Sequence, residues 1–236
     1  MDPNLPHRRL LLASFGGLLF LLAWDTLALD LPFARAFGSA AGFALRDHWL
    51  LSDWLHDAAR RVGWMMVFVL ALAVARPFGI LRRLSTGERA GLLLGVLLAL
   101  AAVSVVKNLS RTSCPWELAE FGGVARYVSH WQWGVSDGGS GRCFPGGHAS
   151  AGFAFMAGYF WLRGRDPRAA LGWLALAAGA GVLLGVVQQV RGAHYMSHTL
   201  WTAWICWITS ATVWFAGRKA AQLRLRLRLR LRDART

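Results

Sequence analysis

Eight cationic or imidazole side chains lie in polar stretches between apolar runs, or at the ends of those runs: Lys107, Arg111, Arg126, His130, His148, Arg191, His194 and His198. Lysine and arginine offer charge and donors to an anion such as phosphate, and histidine offers a nucleophile or a proton near neutral pH. Pro145-Gly146-Gly147-His148 comes immediately before an apolar run. Glycines there let the backbone approach a ligand closely, and the amides that open a helix can face an oxyanion. The chemistry this set fits is the handling of a phosphate-like anion.

The elements that must position these residues are apolar. A bilayer core about 30 Å thick takes roughly 20 apolar residues as helix, because hydrocarbon tolerates only closed backbone hydrogen bonding. Six runs are candidates, at about 10–29, 62–75, 90–106, 149–162, 169–190 and 199–217. The second and fourth are short, so their ends continue into neighbouring segments or they tilt little. The expected fold class is therefore all-α, a polytopic membrane protein of six transmembrane helices forming one bundle. Residues 1–217 form its single domain, and 218–236 form a basic cytoplasmic tail.

Orientation follows the arginines. Arg8 and Arg9 precede the first run, Arg76, Arg82, Arg83 and Arg89 lie between the second and third, and Arg163, Arg165 and Arg168 lie between the fourth and fifth. The positive-inside rule puts those loops and both termini in the cytoplasm. The segments 30–61, 107–148 and 191–198 then face outward, at the periplasmic side of a bacterial-type inner membrane, with Arg60 and Arg61 as dissenters. The first run follows a basic start but lacks a small-x-small cleavage site, so it is expected to be retained. Ser85-Thr86-Gly87-Glu88 has the form of a capping box at a helix start. Leu45, Trp49, Leu50 and Trp54, interleaved with Arg46, Asp47 and Asp53, read as an interfacial amphipathic helix.

Composition excludes other classes. The chain is 56% hydrophobic and 16% charged, which makes a soluble domain a poor reading. The net charge of +14 lies mostly in short loops and in the C-terminal run from Leu223 to Arg232, where Leu and Arg alternate. Positive charge in those places orients spans and meets anionic lipid, so no nucleic-acid partner is expected. The tail has two readings, attachment to anionic lipid or a solvated, disordered topology signal.

Three stretches carry a resemblance. Lys107-Asn108-Leu109-Ser110-Arg111-Thr112-Ser113-Cys114-Pro115, then Phe144-Pro145-Gly146-Gly147-His148, then Arg191-Gly192-Ala193-His194-Tyr195-Met196-Ser197-His198 resemble the three ordered signatures of the type-2 phosphatidic acid phosphatase superfamily. Its signatures are Lys-x6-Arg-Pro, Pro-Ser-Gly-His and Ser-Arg-x5-His-x3-Asp, and the resemblance covers about Val103 to Trp204. It implies a six-helix bundle, no required metal or other cofactor, and hydrolysis of a phosphomonoester or pyrophosphate on a lipid. Undecaprenyl pyrophosphate, lipid A and phospholipid phosphates are the substrates it implies. His194 matches the nucleophile that forms a phosphohistidine, His148 the acid that protonates the leaving oxygen, and Lys107 a phosphate-binding cation. Gly146 and Gly147, placed just before His148, read as a phosphate cradle or as ordinary loop glycines.

The departures are substantial. Cys114 stands at the first signature's arginine, Gly146 at the serine, Gln188 at the third signature's arginine and His198 at the orienting aspartate. Arg111, one helical turn from Lys107 if that stretch is helical, and Arg191 are the candidates to replace the lost cations. His198 can orient His194 through a neutral ring nitrogen, and Glu117, Glu120 or Asp137 can supply the lost negative charge. A second register, with Arg191 as the third arginine, makes His198 the nucleophile and His194 its support. The departures also keep open a lipid phosphotransferase and a catalytically degenerate lipid-binding member. Cys114 and Cys143 fall in one outward loop beside two signatures, so a disulfide between them is expected in an oxidising compartment. A zinc site from His148, His194 and His198 fits by residue type. The order of the signatures argues against it.

Overall fold

The computed structural model describes residues 5–52 and 58–233. Among these residues, eight α-helices run in chain order: α1 (Leu5–Thr26), α2 (Asp30–Arg35), α3 (Ala59–Ala75), α4 (Thr86–Leu109), α5 (Ser150–Phe153), α6 (Ala157–Leu162), α7 (Pro167–Val190) and α8 (Met196–Asp233). A two-residue antiparallel hairpin, β1 (Gly38–Ser39) with β2 (Gly42–Phe43), follows α2. The protein is all-α in character.

Among the described residues, four helical segments are long and apolar enough to cross a membrane: Arg8–Thr26, Ala59–Arg83, Thr86–Leu109 and Pro167–Val190. Two of the six expected runs fall short of that standard among the described residues. The fourth run is a 13-residue helical stretch, Ser150–Leu162, interrupted by a 3-10 turn at Ala154–Met156 between α5 and α6. That turn frees the Phe155 carbonyl, which accepts the Trp173 indole N–H at 2.7 Å. The sixth run lies within α8, where Thr, Ser and Trp lower the hydropathy.

Local chemistry sets the helix ends. The capping box at α4 forms as the sequence indicates: Ser85 Oγ accepts the Glu88 amide at 3.3 Å, and Glu88 Oε2 accepts the Ser85 amide at 2.7 Å. Asp166 caps α7 through the Ala169 amide at 3.0 Å, with Pro167 in the first turn.

Packing centres on α8. It lies along α4 on one side and α1 on another, with α5, α6 and α7 closing the bundle and α3 outside α4. Leu92, Val96, Ala99 and Val103 of α4 meet Phe160, Leu162, Cys206 and Trp214 in the core. Where α5 crosses α7, a Cβ on Gly152 would collide with the Gly181 backbone, so these small residues permit the close helix approach usual in membranes.

Two expectations change. Residues 30–47 form α2, the hairpin and turns rather than an amphipathic helix, and a helical turn begins only at 49–52. Asp53 and Trp54 lie outside the described residues. The Leu–Arg run, for which disorder is one of the two readings, continues α8 as unbroken helix to Asp233, which leaves the lipid-attachment reading open. Helical geometry splits its alternating residues into two leucine arcs and two arginine arcs, so no single face is apolar.

Candidate active site

The three signatures meet at one end of the bundle, where α4 ends and α5 and α8 begin. Helix α4 stops at Leu109 because the chain leaves it to pair with the second signature: the Ser110 carbonyl accepts the Arg142 amide at 3.0 Å, and the Thr112 carbonyl accepts the Cys143 amide at 2.9 Å. Arg111 is thus beyond the helix, exposed, and not one helical turn from Lys107. The expected Cys114–Cys143 disulfide is present, with Cα atoms 5.2 Å apart. It closes a 29-residue separation, and chain entropy assigns such a loop about 3.6 kcal/mol. The Cys114→Ser/Cys143→Ser protein is expected to be less stable by that margin, seen as a lower unfolding temperature in detergent, and reductant is expected to have no further effect on it.

The carboxylates considered as substitutes for the missing aspartate do other work. Asp137 accepts the Ser113 amide at 2.6 Å and its hydroxyl at 2.7 Å. Glu117 accepts the Cys114 amide at 2.8 Å and the Ser140 amide at 3.1 Å. Glu120 pairs with Arg35 at 2.5 Å. All three shape the loop between the first two signatures.

His194 is placed by the end of α7. Gly192 turns the chain with φ +75°, and the amides of Ala193 and His194 return to the Gln188 carbonyl at 2.9 and 3.3 Å. The Phe43 ring fills the space a Cβ on Gly192 would need. His194 is 5% exposed, with its Nδ1 3.4 Å from Nδ1 of His198 and 3.3 Å from the Cys143 sulfur. That sulfur, being in the disulfide, carries no hydrogen, so its 3.1 Å approach to the Ala193 carbonyl is a contact and not a donated bond.

His198 is fully buried. Burial first, then the nearby His194, His130 and Lys107, holds its pKa well below the usual imidazole range, so the ring is neutral. Its backbone anchors the second signature: the His198 carbonyl accepts the Gly146 amide at 3.1 Å and the Thr202 hydroxyl at 2.7 Å, and that hydroxyl also reaches the Gly146 carbonyl at 3.1 Å. Lys107 lies along Gly147, whose Cβ would sit 3.5 Å from the lysine Cδ. His148 lines a cavity of about 270 Å³ between α3, α4 and α5, together with Arg60, Trp64, Leu100, Ser104 and Phe155.

Arg191 is buried. Its Nε donates to the Arg46 carbonyl at 2.9 Å, and Nη1 lies 3.5 Å from Oε1 of Gln188, the residue at the third signature's arginine position. Lys107, Gly146, Gly147, His194 and His198 are therefore linked by direct contacts. Arg111 stands at the periphery.

Residues outside the resemblance also belong to this end of the bundle. Asp30 is buried and accepts the Ser197 amide at 3.0 Å, the Ser197 hydroxyl at 2.5 Å and the Trp24 indole at 3.0 Å. Desolvation raises its pKa, opposed by those hydrogen bonds. Asp25 accepts the indoles of Trp201 and Trp131 at 2.9 and 3.1 Å and lies 3.3 Å from Nε2 of His130. His130 stacks on Phe144, with ring centroids 4.2 Å apart, and meets His198 edge-on at 6.2 Å. Two carboxylates at the end of an apolar run are costly and seldom idle, and this was the signal for them in the sequence.

Two groups have the spacing of metal ligands, Cys114–Cys143–His194 and Asp25–Asp30–His130, each with ligand atoms within 4.8 Å of one another. The disulfide denies the first its thiolates, and indole and serine donors already occupy the carboxylates of the second. His148, His194 and His198 form no such group among the described residues.

The helices define a membrane protein with a histidine-rich polar centre at one end of its bundle. The sequence model of the PAP2 superfamily matches residues 89–221, and the chain belongs to that superfamily. Membership supports hydrolysis of phosphate esters. Neither the curated proteins nor the solved structures include a match to the chain.

Proposed function

We propose that the protein is a six-span integral-membrane phosphatase that removes phosphate from a lipid at the periplasmic face, through a phosphohistidine on His194. The contact between the two Nδ1 atoms of His194 and His198 carries this reading. A neutral His198 accepts at Nδ1 when His194 carries its proton there, and the hydrogen-free Cys143 sulfur 3.3 Å from the same nitrogen favours that tautomer, which leaves the lone pair of His194 on Nε2. His198 thus takes the orienting part of the missing aspartate. Its complete burial argues against its being the nucleophile.

The steps follow from these positions. His194 Nε2 attacks phosphorus while the bond to the leaving oxygen breaks, and His148 gives that oxygen a proton. Water then attacks the phosphohistidine, returns a proton to His148 and releases inorganic phosphate. Lys107 and the amides of Gly146 and Gly147 stabilise the transferring phosphoryl. Arg191 brings a guanidinium to the Gln188 position.

The cavity beside His148 supports a lipid substrate. Its Leu100 and Phe155 walls are apolar, while Arg60 adds positive charge. Head-group binding also accounts for an arginine on the outward side, against the topology rule. The fourth run and α8 complete the six crossings under this reading.

The test is phosphate release from a panel of lipid phosphates and pyrophosphates in detergent with chelator present. Chelator-resistant release is expected, and Lys107→Ala is expected to lower kcat/KM by about 10²-fold or more. Transfer to a second lipid without release would indicate a phosphotransferase, and binding without turnover a degenerate member. Loss of activity with chelator, restored by zinc, would overturn the metal-independent mechanism.

A further inference from the structure

A cavity of about 970 Å³ lies away from the signatures. It lies at the opposite end of the bundle, between the first half of α4, the end of α6 and the middle of α8. From Glu88 to Lys107 along α4 is about 28 Å at 1.5 Å per residue, close to the thickness of a bilayer core. The two sites are therefore at opposite membrane faces.

The cavity changes character along its length. Toward the bundle centre its wall is Leu94, Leu98, Phe160 and Val213, and the two leucines are among the exposed large apolar side chains. At its mouth are Arg165, Arg218 and Arg224 against the single carboxylate of Glu88. Glu88 already pairs with Arg165 at 3.0 Å, and Arg218 lies 5.2 Å over the Trp214 ring. Positive charge from Arg218 and Arg224 is thus left in excess where hydrocarbon gives way to head groups. The floor exists because Trp161 lies flat against Gly91 and Gly217, where any Cβ would meet its ring.

We propose that this cavity binds one anionic phospholipid from the leaflet opposite the catalytic face, its phosphate between Arg218 and Arg224 and an acyl chain along Leu94 and Leu98. Charge complementarity selects an anionic head group over a zwitterionic one. The apolar wall selects a lipid over a free phosphate, which would leave that surface bare. The site uses none of the residues of the phosphatase centre, so it stands or falls separately from the reaction.

The experiment is native mass spectrometry of the full-length protein in detergent, titrated with phosphatidylglycerol, phosphatidylcholine or inorganic phosphate. One retained phosphatidylglycerol is expected, with phosphatidylcholine held far more weakly. Arg218→Gln/Arg224→Gln is expected to weaken retention about thirtyfold, from roughly 1 kcal/mol per surface arginine. Arg228→Gln/Arg230→Gln removes equal charge beyond the cavity and is expected to change it little. Ala221→Trp fills the mouth from an exposed helical position without altering charge, and is also expected to weaken retention. Equal loss in both arginine pairs, unchanged retention in Ala221→Trp, equal retention of phosphatidylcholine, or displacement by inorganic phosphate would each overturn the proposal.

Discussion

Replacing His194 with alanine is expected to lower phosphate release by on the order of 10⁴-fold or more, because no nucleophile then remains to divide the reaction into two easier steps. His198→Ala is expected to cost less, about 10²-fold. The tautomer of His194 would no longer be fixed by the 3.4 Å contact, yet its Nε2 would still reach phosphorus in a fraction of molecules. His198→Asn separates this role from packing: an asparagine oxygen lies near the place of Nδ1 and can accept the same proton, so activity is expected to recover partly. Acid-labile phosphate on the protein, trapped by rapid quench, is expected in wild type and in His198→Asn and not in His194→Ala. Label retained in His194→Ala and lost in His198→Ala would reverse the two roles.

A second large effect is expected at Asp30, outside every signature. Removing its carboxylate strands the Ser197 amide and the Trp24 indole in a buried place, and each such donor costs about 1–3 kcal/mol. Asp30→Ala is therefore expected to lose about 3 kcal/mol of stability and, because Ser197 lies between His194 and His198, most of the activity. Asp30→Asn keeps an acceptor for both N–H groups and can donate to the serine oxygen, so its loss is expected to be smaller. The pH dependence separates them further. Burial raises the pKa of Asp30, so its ionisation costs stability as pH rises through the folded value, and wild type is expected to lose ground against Asp30→Asn in that direction. Thermal unfolding in detergent at several pH values measures both effects. Equal stability of Asp30→Ala and wild type would show that the clamp on Ser197 is dispensable.

These two predictions mark how far the sequence could be read. The histidines, Lys107, the capping box at Ser85 and the disulfide depend on local pattern or on spacing within a signature, and such information survives in one dimension. Asp30 and Asp25 do not. They come from the end of α1 and the start of α2, outside the 89–221 match, and reach the site only because α1 and α2 pack on α8. Arg46 likewise meets Arg191 across 145 positions. Arg111 departs from its expected place for a related reason: helical spacing from Lys107 ends at Leu109, where pairing with the residues before the second signature draws the chain out of the helix. The Leu–Arg tail misleads by its period of two, which suits a strand. Arginine and leucine are both good helix formers, and continuation from α8 removes the cost of nucleation.

The length of α8 has a mechanical consequence. Its 38 residues make a rod of about 57 Å, longer than a bilayer with both head-group layers at 40–45 Å. His198 lies near one end of this rod and Arg232 near the other. With no break between them, the azimuth of the arginines about the axis is fixed relative to the imidazole. His198 and the arginines thus share one unbroken element, so a displacement of the basic end is carried along the helix to the imidazole that faces His194.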